Sequence, residues 1–126
     1  MKPNEVVRAL SALAQQSRLA LFRLLVKRGP EGYTPGELQE KLSIAGSTLS
    51  FHLKSLQHAG LVQVRRDGRC LHYRVDFAAM HDLLDYLGEQ CCSLSSTACD
   101  DNCRPLPGKA RANRGEPSLN IRFNRK

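Results

Sequence analysis

From Thr34 to Val75 the chain reads TPGELQEKLSIAGSTLSFHLKSLQHAGLVQVRRDGRCLHYRV. Thr34 occupies an N-cap position, Pro35 the first helical position, and Glu37 the place that closes a capping box. The short helix this predicts turns Leu38 and Leu42 inward, and Ser43-Ile44-Ala45-Gly46 forms a turn. A second helix runs from about Ser47 to Ala59 and stops at Gly60, with Leu49, Leu53 and Leu56 at i, i+4 and i+7 facing a core. Its opposite face carries Ser47, Thr48, Ser50, His52, Lys54 and Ser55. Two alternating stretches, Leu61 to Arg66 and Arg69 to Val75, then flank Asp67-Gly68, a strong short hairpin signal. A two-residue turn there pairs Val64 with Leu71 and Val62 with Tyr73 on the buried side.

Upstream, residues 4–14 place Val6, Val7, Leu10, Leu13 and Ala14 on one helical face. Ser17 can cap a second helix with Leu21, Phe22, Leu24 and Leu25 as apolar positions; Lys27 and Arg28 suit its C-terminal end, and Gly29-Pro30 stops it. Downstream, Asp76 caps a last helix with the stripe Phe77, Met80, Leu83, Leu84 and Leu87. These elements predict a mainly α domain with a β-hairpin wing (α+β), a winged helix-turn-helix in which the short capped helix, the turn and the polar-faced helix form the reading unit.

The 126 residues suit one modest core, and 41% apolar with 25% charged residues is ordinary for a soluble globular chain. No run approaches the roughly 18 apolar residues of a membrane span, and the N-terminus has no secretory apolar region, so a cytoplasmic protein without a membrane partner is expected. The net charge of +7 is unevenly spread. Residues 104–126 carry +6 and are rich in Pro, Gly, Asn and Arg, which predicts a disordered basic tail. Residues 41–74 carry +5, and no carboxylate falls between Lys41 and Arg66. A merely solvated helix face is normally rich in Glu and Lys; this one is Ser, Thr, His and Lys. Double-stranded DNA is therefore the expected partner, with Ser47, Thr48, Ser50, His52 and Lys54 toward bases and phosphates and Arg65, Arg66 and Arg69 of the wing on the backbone or minor groove.

The string from Ser47 to Val62, followed by Arg66-Asp67-Gly68-Arg69, resembles the ArsR/SmtB metalloregulatory repressors, and Ser17 to Leu25 is similar to their second helix. The resemblance covers about residues 4–92. It implies a homodimeric winged-helix repressor, packed through its first and last helices, that leaves its operator when a metal or metalloid binds. Family members often carry Ser-Gln just before the recognition helix; here Ala45-Gly46 stands there, so that glutamine is missing.

Five cysteines, Cys70, Cys91, Cys92, Cys99 and Cys103, point to metal or redox chemistry in a reducing compartment. The family's Cys-x-Cys site in the third helix is absent, because Glu37-Leu38-Gln39-Glu40-Lys41 occupies it. Its Asp-x-His zinc site on the last helix is also absent: Ala79 precedes His81 by two, and Cys92 replaces the later His. What remains is Cys91-Cys92, then Cys99 and Cys103. Soft thiolates select thiophilic ions, and trivalent arsenic takes three of them in a pyramid. The chain further resembles the arsenite- and antimonite-responsive subgroup, with Cys-Cys at the end of the last helix and another cysteine several residues on. The expected inducer is As(III) or Sb(III) held by Cys91, Cys92 and Cys99, with Cys103 as the alternative third ligand; no organic cofactor is expected. Cys70, alone on a strand, reads as a wing residue.

The expected organisation is a DNA-binding and dimerisation domain over 1–92, a Cys-rich inducer segment over 91–103, and the tail over 104–126. A thiol redox or persulfide-sensing repressor, and a zinc- or cadmium-responsive repressor of the same fold, are the competing readings. No phosphate-binding loop, nucleophile elbow, His-Glu metal helix or dinucleotide turn is present, so catalysis is not expected.

Overall fold

The computed structural model describes residues 1–96; Cys99, Cys103 and the 104–126 tail lie outside the described residues. The elements are α1 (Pro3–Leu13), α2 (Gln16–Arg28), α3 (Pro35–Leu42), α4 (Gly46–His58), β1 (Val62–Asp67), β2 (Cys70–Val75) and α5 (Phe77–Gly88). This is a winged helix-turn-helix with an antiparallel two-stranded wing. The chain divides into two compact units within α5, Met1–Met80 and His81–Lys126.

Local chemistry sets the starts of the helices. The Thr34 N–H donates to Glu37 Oε1 at 2.9 Å and the Glu37 N–H to Thr34 Oγ1 at 3.3 Å, the capping box the sequence predicts. The same Thr34 N–H holds the Glu37 carboxyl below its ordinary pKa. α2 begins earlier than expected: Gln15, not Ser17, is its cap, accepting from the Arg18 N–H at 2.9 Å. Asp76 Oδ1 accepts from the Ala79 N–H at 3.1 Å and so caps α5.

In the first unit the core is Val6, Ala9, Ala12, Leu21, Phe22, Leu25, Leu38, Leu49, Leu53, Leu56, Leu61, Val62 and Val75. α4 packs against α1, α2, α3 and β1, which orients it rigidly. The stripe expected on α1 divides: Val6 is buried, whereas Val7 is 62% and Leu10 41% exposed. On α5 only Leu83 of the expected stripe is buried, and Leu84 and Leu87 are exposed.

The wing keeps its predicted faces but not its predicted register. Val62 pairs with Val75, Val64 with Tyr73 and Asp67 with Cys70, so the two-residue loop is Gly68-Arg69 rather than Asp67-Gly68. Gly68 has φ +65 and Arg69 does not enter the positive-φ region, the pattern of a type II′ hairpin. The shift relative to the expected pairing is two residues, an even number, so the same side chains still share a face. Val64, expected to be buried, is 38% exposed. A further bridge joins the wing to the loop before α3. Tyr33 and Tyr73 exchange backbone hydrogen bonds at 2.9 and 2.8 Å.

Candidate DNA-reading face and thiol pair

α4 has no side-chain cap at Ala45, so the amides of its first turn are left for solvent or an anion. Ser47, Thr48, Ser50 and Lys54 are exposed on it, as expected. His52 is not. It is 7% exposed, and its Nδ1 has no hydrogen-bond partner. The expectation that it faces DNA is corrected: His52 lies three residues after Leu49 and four before Leu56, a spacing that belongs to the leucine face. Burial, with the Arg18 charge as a smaller cause, holds its imidazole below the usual pKa.

Phe51 takes the position on the polar face that sequence reasoning passed over. It is 63% exposed, and its ring meets that of His52 at a centroid distance of 5.9 Å and a 58° tilt. It lines a cleft of about 510 Å³ with Arg8, Arg18, Lys54 and His58 among its neighbours. Arg8, Arg18 and His58 were likewise not anticipated here, because the cleft is assembled from α1, α2 and α4 and no local pattern unites them. Phe51 was legible in principle. It is the aromatic residue of α4 that falls four after Ser47 and three before Lys54.

In the wing, Arg65, Arg66 and Arg69 are exposed, and none of their side chains makes a hydrogen bond or ion pair to another described residue. Arg65 pairs with His72 and Arg66 with Leu71, so the two adjacent arginines emerge on opposite faces of the ribbon, with Arg69 at its tip. Other basic residues are committed to structure. Arg74 Nε donates to Gln63 Oε1 at 3.2 Å and Arg74 Nη1 to the Pro30 carbonyl at 3.4 Å. Arg28 and Lys41 lie over the Tyr33 ring at 4.9 and 5.5 Å. Cys70 is exposed on the wing, as expected.

In the second unit, Cys91 and Cys92 follow α5 in a turn where Gln90 and Cys92 take φ +59 and +63. Both side chains are exposed, and their sulfurs stand 3.6 Å apart. Two sulfurs bound at about 2.3 Å to one tetrahedral centre are separated by roughly 3.8 Å, and to a lone-pair pyramidal centre by somewhat less, so the pair is close to a two-thiolate bite. Among the described residues no group of three or more His, Cys, Asp or Glu could hold a metal ion. The third ligand expected from the sequence, Cys99 or Cys103, lies outside the described residues.

A capped helix, a turn, an exposed polar helix and a basic wing define a winged-helix DNA-binding protein. Similarity to known proteins makes this specific. A helix-turn-helix domain family matches residues 13–65. A probable mercury resistance operon repressor of Streptomyces lividans is 33% identical over 107 residues, 85% of this chain and 82% of the relative. An ArsR-like transcriptional regulator from Rhodococcus sp. RHA1 superposes with a TM-score of 0.58 at 25% identity, over 67% of this chain and 76% of that one. A homodimeric winged helix-turn-helix DNA-binding domain from Mycobacterium bovis gives 0.55 at 25% identity, covering 77% and 88%. The chain belongs to the ArsR/SmtB family of DNA-binding transcriptional regulators, and is a regulator rather than an enzyme. Among the described residues no helix is long and apolar enough to cross a membrane.

Proposed function

We propose that this protein is a homodimeric repressor that binds operator DNA and releases it when trivalent arsenic or antimony is captured by Cys91, Cys92 and a third thiolate, Cys99 or Cys103. The observation that carries the reading is the exposed pair of sulfurs 3.6 Å apart. With arsenite, As(OH)₃, each of three thiols gives its proton to one hydroxide; three As–S bonds form, three As–O bonds break, and three waters leave. No electrons are transferred.

Dimerisation is supported by the exposed apolar residues Val7 and Leu10 on α1 and Leu84 and Leu87 on α5, and by the homodimeric relative. A two-fold dimer would present two copies of α4 to successive major grooves, about 34–36 Å apart. Ligand capture ties the following segment to the end of α5. A coupling of about 1–3 kcal/mol between that end and the reading helices is enough to lower operator occupancy substantially.

The name of the Streptomyces relative favours a second inducer, Hg(II). Mercury is satisfied by two thiolates and so would need the adjacent pair alone. Titrating an operator complex with arsenite, antimonite, mercury, cadmium, zinc and peroxide tests these readings together. Release by arsenite and antimonite that needs the third cysteine supports the proposal; release by mercury alone supports the second reading. Release by peroxide alone, with a disulfide seen by mass spectrometry, transfers the role to redox sensing.

A further inference from the structure

We infer that Phe51 is a specificity-determining residue of the reading helix, making apolar contact with the 5-methyl group of a thymine in the major groove. The inference rests on the DNA-binding reading above and adds a base contact to it. Phe51 sits in the second turn of α4, aligned with Ser47 and Lys54 at i−4 and i+3, and is 63% exposed. One side of its ring meets the buried His52 ring at 5.9 Å, which restricts it and leaves the remaining edge toward solvent. Its cleft is lined by Arg8, Arg18, Lys54 and His58.

An apolar protein partner covering Phe51 would have to desolvate these cationic and titratable groups without compensation, which is costly. A polyanion does the opposite, pairing the cations while the ring reaches past the phosphates. Within the major groove the base edges offer hydrogen-bond donors and acceptors, with one apolar group among them, the thymine methyl. An exposed phenyl ring on a helix that reads this groove has that group as its complement.

The test begins by selecting preferred duplexes from a random library with the full-length protein. Each thymine of the selected site is then replaced singly by deoxyuridine, which removes only the methyl. At one or two positions per half-site the wild-type protein is expected to bind about fourfold more weakly, the loss of one buried methyl. Phe51→Ala should bind the thymine and deoxyuridine duplexes equally, with the salt dependence of wild type, since an apolar contact releases no counterions. Phe51→Gln serves the same purpose if the alanine variant is unstable. Indifference of the wild type to every replacement, or a Phe51 variant that keeps the wild-type penalty, overturns the inference and leaves the repressor reading standing. Failure to select any duplex overturns both.

Discussion

Tyr33 and Tyr73 exchange both of their backbone hydrogen bonds, which fastens the loop before α3 to the second strand of the wing. The bridge requires Gly32. Its φ is +73, and a Cβ there would stand 2.5 Å from the Tyr73 carbonyl oxygen. Gly32→Ala is therefore expected to lower stability by about 2–3 kcal/mol, read from urea denaturation, since left-handed strain and a backbone clash combine. Gly60→Ala, with φ +80 but open space, should cost less. Equal losses would mean the close approach to Tyr73 carries no energy.

The buried imidazole makes stability depend on pH. His52 has a folded-state pKa below its ordinary value of 6.5, so as pH falls the unfolded chain takes up the proton first. Its contribution is fully present above about 6.5 and is lost as pH falls through the folded value. The urea midpoint of the wild type should drop between about pH 7 and about pH 5. In His52→Leu, which also removes the unpartnered Nδ1, the drop should be smaller. Matching pH profiles for the two proteins would exclude His52 as the source.

The exposed wing arginines predict a salt signature. Arg66→Ala with Arg69→Ala should weaken operator binding and reduce the slope of log K against log salt by roughly 2, about 0.9 for each phosphate that is no longer neutralised. Anisotropy titrations with a labelled operator between low and physiological salt measure both. An unchanged slope would mean that neither side chain meets a phosphate.

Thiolate number predicts which variants stop responding. Cys91→Ser and Cys92→Ser should each abolish release by arsenite while leaving DNA binding intact, because two ligands hold inorganic arsenite weakly. Cys99→Ser should behave likewise if it supplies the third thiolate, which its shorter loop favours over Cys103. A monomethylated trivalent arsenical, with two exchangeable positions, should still release Cys99→Ser. Cys70→Ser should retain binding and induction. Wild-type arsenite midpoints in the Cys91 and Cys92 variants would refute the site.

Much of this molecule is written locally. The Thr34–Glu37 capping box, the Leu49–Leu53–Leu56 spacing, the exposed Ser47–Lys54 face and the existence of a hairpin around Gly68 all follow from interactions between residues a few positions apart. Such interactions act within a single turn or ribbon, so spacing alone specifies them. What only the tertiary structure decided depends on partners distant in sequence. The hairpin stands two residues from the expected register, with Tyr73 paired to the distant Tyr33. The apolar stripe of α1 divides because one core can enclose Val6 and Ala9 but not also Val7 and Leu10. His52 and Phe51 exchange the environments their polarity suggests. Helix geometry puts position 52 on the leucine face and position 51 outside it, and close packing of α4 against its neighbours enforces that geometry over side-chain preference.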